Sequence, residues 1–562
     1  MQLGYPNLKK ELINLKKLLS AVLAAALIVC PHTLAYAKDT DSVKSGRTGG
    51  VIIEQGASDE NYLNKTDSKA SSLPKYYSSV DMGYVTSVKD QSIQNTCVFF
   101  SSTAAMETAL LKNGYGKYDL SEEYANYWAS TRQDGTGWQR DRVNAGAFPY
   151  TGYGYLTTGG VVAESELPYM SRTESYFEEL PQLEPLFYAG GIKYLSGPKL
   201  NAEEFKKAIM ECGGVTASFS MHTRYVNYDT NAFFCDDELS VEEIASGAHS
   251  VFVVGWDDSY SKQNFKAGTR PQNDGAWLIK NSWGNDLDYM WISYEDKYLG
   301  NEIFGGNFAV SDIIKNHTCN ELLTVDSYGP LYEMTFFDNN DSLVYDATFI
   351  NVFDFSKKTP VISSVEFSTT AAGSDYTIYY IPTVNGVPTD NTLLWTKLAS
   401  GTIEYSGIHN IPVKSYKVTD SQGAIGIKLT SYDENTPVSI GCCEWYGSYG
   451  TNEFRFLPRT INDRSYINSN NMTINLTDYY RDYGDDIGGN FTIRAVTNVQ
   501  KGDVTCDGNV SLYDAIQLQK QVVGLTTLGS DIMKYVADID QNGTVTLFDA
   551  LLTQKISLGI IA

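Results

Sequence analysis

The stretch Gln91-Ser92-Ile93-Gln94-Asn95-Thr96-Cys97-Val98-Phe99-Phe100 sets a cysteine at the head of an apolar run. From Cys97 onward, CVFFSSTAAMETALLK holds neither Gly nor Pro and is rich in Ala, Phe and Leu, which predicts a buried helix over 97–112. Cys97 falls in its first turn, where unpaired N–H groups and the positive end of the helix dipole favour thiolate over thiol. Gln91, in the loop before, can aim its amide at the oxyanion formed when that thiolate attacks a carbonyl. Alone, the pattern suits a core cysteine better, because free Cys is among the most buried residue types.

Two later stretches shift that balance. Ser246-Gly247-Ala248-His249 leads into the β-branched run Ser250-Val251-Phe252-Val253-Val254, a buried strand with a histidine at its head. Trp277-Leu278-Ile279-Lys280 predicts a second strand, closing on the turn Asn281-Ser282-Trp283-Gly284. A thiol nucleophile needs an imidazole to take its proton, and the imidazole needs an amide or carboxylate to fix its tautomer. Cys97, His249 and Asn281 supply those groups.

With Val88-Lys89-Asp90-Gln91 before Cys97, then Leu120-Ser121-Glu122-Glu123, Gly159-Gly160-Val161-Val162, Pro168-Tyr169, Gly213-Gly214-Val215, Ala248-His249 and Asn281-Ser282-Trp283-Gly284, the chain resembles the papain-like cysteine peptidases over about 240 residues. The resemblance implies a two-lobed α+β domain with Cys97 as nucleophile, His249 as base, Asn281 as orienter, Gln91 as oxyanion donor and Trp283 packed over the Asn281 amide. The chain departs from the family pattern at Gln94, where a disulfide cysteine is usual, and at Val98, where Trp usually follows the nucleophile.

Acidic residues outnumber basic ones by 67 to 43 among 562, and a net charge of −24 repels phosphate backbones and anionic lipid, so nucleic acid is excluded as a partner class. The length suits three or four domains. Residues 1–37 read as an export signal, with Lys9, Lys10, Lys16 and Lys17 in front, an apolar stretch over 18–29 and a cleavage site at Ala35-Tyr36-Ala37. Lipid attachment at Cys30 is the alternative. No later run is apolar enough to span a membrane, so a secreted protein is expected. Once Cys30 is lost, Cys97, Cys212, Cys235, Cys319, Cys442, Cys443 and Cys506 remain, an odd number that leaves a thiol free. Cys212 with Cys235 is the one pairing considered. Cys442 and Cys443, adjacent on a strand, would point to opposite faces.

Residues 38–72 are polar and read as a linker, with a short pro-segment as the alternative. The catalytic domain is expected over 73–311, helical first with Ser121 as N-cap of a helix over 122–129, then β-rich. A nucleophile on one half and a base on the other predict a cleft for an extended peptide. The loop 131–159 would form one wall, with Gly146 and Ala147 pairing with substrate backbone, unless it is an ordinary surface loop. Ala217 and Ala248 would line an apolar side-chain pocket. The polar loop 257–274 reads as an excursion on the rim.

Over 320–497 helix signals give way to short strands, for example 361–369, 376–382, 424–430 and 491–496, with a hairpin turn at Val384-Asn385-Gly386-Val387, predicting a β-sandwich. It resembles the lectin-like domain that follows the catalytic domain in some bacterial papain-like peptidases. Carbohydrate binding is one expectation; the other is a rigid packing partner for the peptidase.

The tail contains an internal repeat. Asp503-Val504-Thr505-Cys506-Asp507-Gly508-Asn509-Val510-Ser511-Leu512-Tyr513-Asp514 recurs as Asp538-Ile539-Asp540-Gln541-Asn542-Gly543-Thr544-Val545-Thr546-Leu547-Phe548-Asp549. Oxygen-bearing side chains recur at positions 1, 3, 5, 9 and 12, and glycine at the sixth position allows a sharp turn. This is calcium geometry of the EF-hand type, so two Ca2+ sites are expected. The ligand sets are Asp503, Thr505, Asp507, Asn509, Ser511 and Asp514, and Asp538, Asp540, Asn542, Thr544, Thr546 and Asp549, with the first weakened by Thr505 at its third position. Residues 500–562 resemble a type I dockerin, a small all-α module. That implies calcium-coupled folding and docking to a cohesin on a scaffoldin within a cellulosome. In that family, partner choice lies largely at positions ten and eleven, here Leu512, Tyr513, Leu547 and Phe548. They face either a partner or the module's own core.

The reading that joins these parts is a secreted cysteine endopeptidase, needing no cofactor for catalysis, anchored to a multienzyme complex. Its rivals are an inert papain-fold homologue that only binds, favoured by Val98, and an acyltransferase using the same thiol.

Overall fold

The computed structural model describes residues 51, 73–130, 137–172, 183–326, 328–336, 342–432, 436–443, 455–457, 463–469, 472–482 and 489–561. The expected export signal and all of 38–72 except Val51 lie outside the described residues.

The helix Cys97–Lys112 runs through the catalytic half and is buried from Cys97 to Leu110. It is buried on every side because it packs against strand Ala248–Asp257 and against the helices Glu122–Trp128 and Pro149–Gly154. Ser121 caps Glu122–Trp128 by accepting from the Tyr124 N–H at 3.0 Å. The loop 131–159 is more regular than expected. Its described part holds a strand, Gly137–Gln139, the helix Pro149–Gly154 and a π-helical turn, Tyr155–Gly159.

The β-rich half is a sheet running in the order Phe187–Leu195, Asn307–Lys315, Val215–Ser220, Ala248–Asp257, Ala276–Lys280 and Tyr289–Ser293. It does not end at the domain boundary. Phe187–Leu195 also pairs with Gly407–Lys417, through Gly407 with Lys193 and Ile408 with Ile192, and the sheet continues through Val361–Thr369, Ile493–Asn498 and Asn320–Leu323. A Cβ at Gly407 would fall 1.9 Å from the Ile192 carbonyl oxygen, so this joint requires glycine. The second layer of the sandwich is built on Asp346–Asp354, Asp375–Val384, Gln422–Thr430 and Ser465–Ser469. The hairpin turn at Asn385 and Gly386 has both φ angles positive, at 54° and 83°. A short helix, Leu476–Asp482, interrupts the region expected to be all β.

Cys442 lies in the core of the sandwich and Cys443 in that of the catalytic region, where its Sγ accepts from the Tyr328 N–H at 3.1 Å. The seven described cysteines are all thiols, so the considered Cys212 to Cys235 bridge does not form. Cys212 closes the helix Ala202–Cys212, whereas Cys235 follows the strand Ala232–Phe233 on another part of the domain.

The tail packs Leu512–Val522 against Leu547–Ser557. Its core takes in Cys319 from the stretch between the other two domains, and the Tyr535 ring stacks on His317 with centroids 4.0 Å apart. Gly508 of the first loop abuts the Lys357 carbonyl of the sandwich, 2.3 Å from where a Cβ would sit.

Candidate active site

Thr96 occupies the N-cap of the nucleophile helix without a side-chain capping bond, its carbonyl accepting from the Phe99 N–H at 2.9 Å, and the helix dipole favours an anion near Cys97. Cys97 itself is fully buried. The Ser250 N–H donates to Cys97 Sγ at 3.3 Å, and the Ser250 hydroxyl meets Ser101 Oγ at 2.8 Å, fastening the histidine strand to the cysteine helix. The residue next to His249 therefore touches the sulfur.

His249 Nε2 and Asn281 Oδ1 are 2.8 Å apart. With Nε2–H donating there, Nδ1 carries the lone pair, and Nδ1 has no hydrogen-bond partner among the described residues. Burial pushes the imidazole down to about 4, with the bond to Asn281 acting in the other direction. Asn281 is fixed in turn, its Nδ2 donating to the Leu287 carbonyl at 3.0 Å. The indole of Trp283 stacks on the His249 ring with centroids 4.8 Å apart. Behind Asn281, Lys280 donates to Thr86 at 3.1 Å and burial pulls its ammonium down to about 8. Lys89 pairs with Glu107, Asp119 and Glu122 nearby, at 2.8, 2.8 and 3.0 Å.

Gln91 is sealed from solvent and bonded on both sides of its amide. Ser282 Oγ donates to Oε1 at 2.6 Å, and Nε2 donates to the Gln94 carbonyl at 2.8 Å, leaving one amide hydrogen for an incoming oxyanion. The Gln91 N–H also donates to the Ser282 carbonyl at 2.8 Å, so the cysteine loop and the asparagine turn are laced together.

The opposite wall is shaped by Arg140, which the sequence gave no reason to single out. Its buried guanidinium donates to the carbonyls of Gly146 and Ala145 at 3.0 and 3.1 Å, drawing both inward. Ala147, Ala217 and Ala248 are buried in one apolar cluster, and Val51 belongs to it with 6% exposure. Val51 pairs in parallel with Ala147, and its N–H donates to the Ala248 carbonyl at 3.3 Å. One residue from the stretch before the catalytic domain thus bridges the positions expected to hold substrate.

In the tail, carboxylate oxygens of Asp538, Asp540 and Asp549 come within 4.8 Å of one another, a donor set that suits Ca2+. In the first loop Thr505 Oγ1 donates to Asp514 at 2.8 Å, so a hydroxyl stands where the second loop has a carboxylate, between Asp503 and Asp514. Asp507 and Asn542, at the fifth positions, are exposed, as are Asn509 and Thr544. Ser511 and Thr546 are helix N-caps in capping boxes with Asp514 and Asp549. Leu512, Tyr513, Leu547 and Phe548 are 48%, 58%, 56% and 51% exposed.

Comparison with known proteins matches residues 73–297 to the papain family cysteine proteases, 332–497 to the lectin-like domain and 501–556 to the dockerin type I domain. Among solved structures, the chain is 32% identical to the clostridial cysteine protease Cwp84 after propeptide cleavage, covering 76% of this chain and 99% of that one with a TM-score of 0.65. It is 29% identical to the cysteine protease and lectin-like domains of Cwp84, a surface layer associated protein of Clostridium difficile, covering 84% and 98% with a TM-score of 0.66. Procathepsin L of Felis catus is 27% identical over 212 residues and cathepsin K of Gallus gallus 29% over 213. These alignments cover 37% and 36% of this chain and 57% and 53% of those proteins, so the chain spans little more than half the length of these curated relatives.

Proposed function

The chain belongs to the papain family of cysteine proteases, with lectin-like and type I dockerin domains, and from that premise we propose that it is an exported endopeptidase acting through a Cys97 thioacyl-enzyme. The observation that carries this is the seating of His249, whose Nε2 is engaged by Asn281 Oδ1 at 2.8 Å while Nδ1 is left to accept a proton beside the residue that touches Cys97 Sγ. Cys97 gives its proton to His249 Nδ1 and its sulfur attacks the peptide carbonyl. Gln91 Nε2 and the N-terminal turn of the Cys97 helix receive the oxyanion. His249 then returns the proton to the leaving amine, and water, activated by the same nitrogen, releases the acid from the thioester.

Val51 supports reading 38–72 as a short inhibitory pro-segment, since it occupies Ala147 and Ala248 where substrate would lie. The dockerin, folded around calcium held by its two loops, seats the enzyme on a cohesin through Leu512, Tyr513, Leu547 and Phe548, which favours an extracellular, complex-bound location. The lectin-like domain serves as a packing partner, a reading supported by the shared sheet. Carbohydrate binding is a second role for that domain that a glycan array of the full chain would test.

The deciding experiment treats the purified chain with an epoxide inactivator of thiol proteases. One adduct on Cys97 with loss of peptide hydrolysis is expected. No adduct, or an adduct on a chain that never hydrolysed peptides, overturns the peptidase reading.

A further inference from the structure

Tyr169 lies outside the group expected to do chemistry, yet its hydroxyl makes three hydrogen bonds to the nucleophile loop. It donates to the Gln91 carbonyl at 2.9 Å, meets Thr96 Oγ1 at 2.8 Å and accepts from Gln94 Nε2. One donor and two acceptor positions are the whole capacity of a phenol, and all are used. Gln91 Nε2 in turn donates to the Gln94 carbonyl, so Tyr169, Gln94 and Gln91 close a ring of three hydrogen bonds. Gln94 is held from outside the ring by the Arg172 N–H, 3.0 Å from its Oε1. The phenol cannot drift, because its ring packs edge-on against Phe100 with centroids 4.9 Å apart and the Tyr169 backbone N–H donates to Glu164 at 2.7 Å.

We infer that Tyr169, with Gln94, is a positioning residue for hydrolysis, holding the Gln91 amide at the oxyanion site and keeping Thr96 from capping the Cys97 helix. No disulfide pins this loop, since every described cysteine is a thiol. The Gln91 amide must be fixed before reaction if its remaining N–H is to meet a developing oxyanion without reorganising. The Thr96 hydroxyl, which at an N-cap would ordinarily accept from an amide two or three residues on, is instead engaged by Tyr169. One hydroxyl therefore serves both electrostatic elements that act on the reacting carbonyl and sulfur.

The inference rests on the cysteine-peptidase reading, and its test is separable from it. The full chain and Tyr169→Phe, which keeps the ring against Phe100, are titrated with the epoxide to count reactive Cys97, and kcat and KM are then measured per titrated site. Expected is a fall in kcat per site of about tenfold or more with KM within about twofold, since a loosened oxyanion donor is felt mainly in the transition state. A role in stability alone would lower the titratable fraction and leave kcat per site unchanged, so kcat within about twofold of the parent overturns the inference. Should Tyr169→Phe fail to accumulate as folded protein, Gln94→Ala breaks the same ring and is judged by the same two outcomes. A parent chain that does not label at Cys97 defeats the peptidase reading instead.

Discussion

Arg494 and Asp326 form a two-pronged ion pair, Nε to Oδ1 at 2.9 Å and Nη2 to Oδ2 at 2.6 Å, with both side chains sealed from solvent. The same guanidinium pairs with Glu366 and donates to the Thr157 carbonyl at 3.1 Å, so a lectin-like strand grips the catalytic domain. Arg494→Ala strands two buried carboxylates and is expected to cost about 3–5 kcal/mol. Urea unfolding followed by tryptophan fluorescence measures this, and a loss below about 1 kcal/mol would contradict the assignment of Arg494 as the anchor.

Asn281→Ala removes the bond that sets the His249 tautomer, and kcat should fall roughly tenfold to a hundredfold with little change in KM. The imidazole's own titration is readable in Cys97→Ala, where its NMR shift should move near pH 4 rather than 6.5. Because the unfolded chain takes up that proton first, folded stability should decline as pH drops from about 6.5 to about 4, by on the order of 3 kcal/mol. Comparing Cys97→Ala with and without His249→Gln isolates this slope. Identical pH profiles for the pair would refute it.

Thr505→Asp supplies the carboxylate that the second loop has at Asp540, and calorimetry should show the first calcium site tightening by about tenfold. Asp549→Ala should abolish one of two binding events and destabilise the helix Leu547–Ser557, whose capping box it completes. Excess chelator should lower the helical circular dichroism of the full chain, and an unchanged spectrum would count against calcium-coupled folding.

A peptide spanning 38–75 should inhibit the processed enzyme, and the same peptide with Val51→Asp should do so about tenfold less well, since a carboxylate would enter an apolar cluster. Equal inhibition by both would show that Val51 is not what fills the cleft.

Much of the catalytic domain was legible because its signals are local. The helix Cys97–Lys112 lies where a run without breakers placed it, and Ser121 caps the helix foreseen for it. Cys442 and Cys443 do fall in different cores, as alternation along a strand would place them, although the strand itself ends at Cys442. The joint of Gly407 with Lys193 left no such trace, because backbone pairing across 214 positions in sequence needs no particular side chain beyond one glycine. Val51 was equally silent, the first residue of a three-residue apolar run, Val51-Ile52-Ile53, too short to stand out in a stretch otherwise rich in polar residues. The helix Leu476–Asp482, LTDYYRD, is too short and polar to show a periodicity. Tyr169 was visible as part of a motif, but its role depends on three partners that only the folded loop assembles.

The stacking of His317 on Tyr535 and the abutment of Gly508 on Lys357 give the tail a fixed seat on the rest of the molecule. A receptor gripping that tail would set the heading of the catalytic groove, as a mount sets the heading of a tool, where a slack tether would let the groove sweep in all directions. The peptides within reach would then be those that the geometry of the mount brings to the groove.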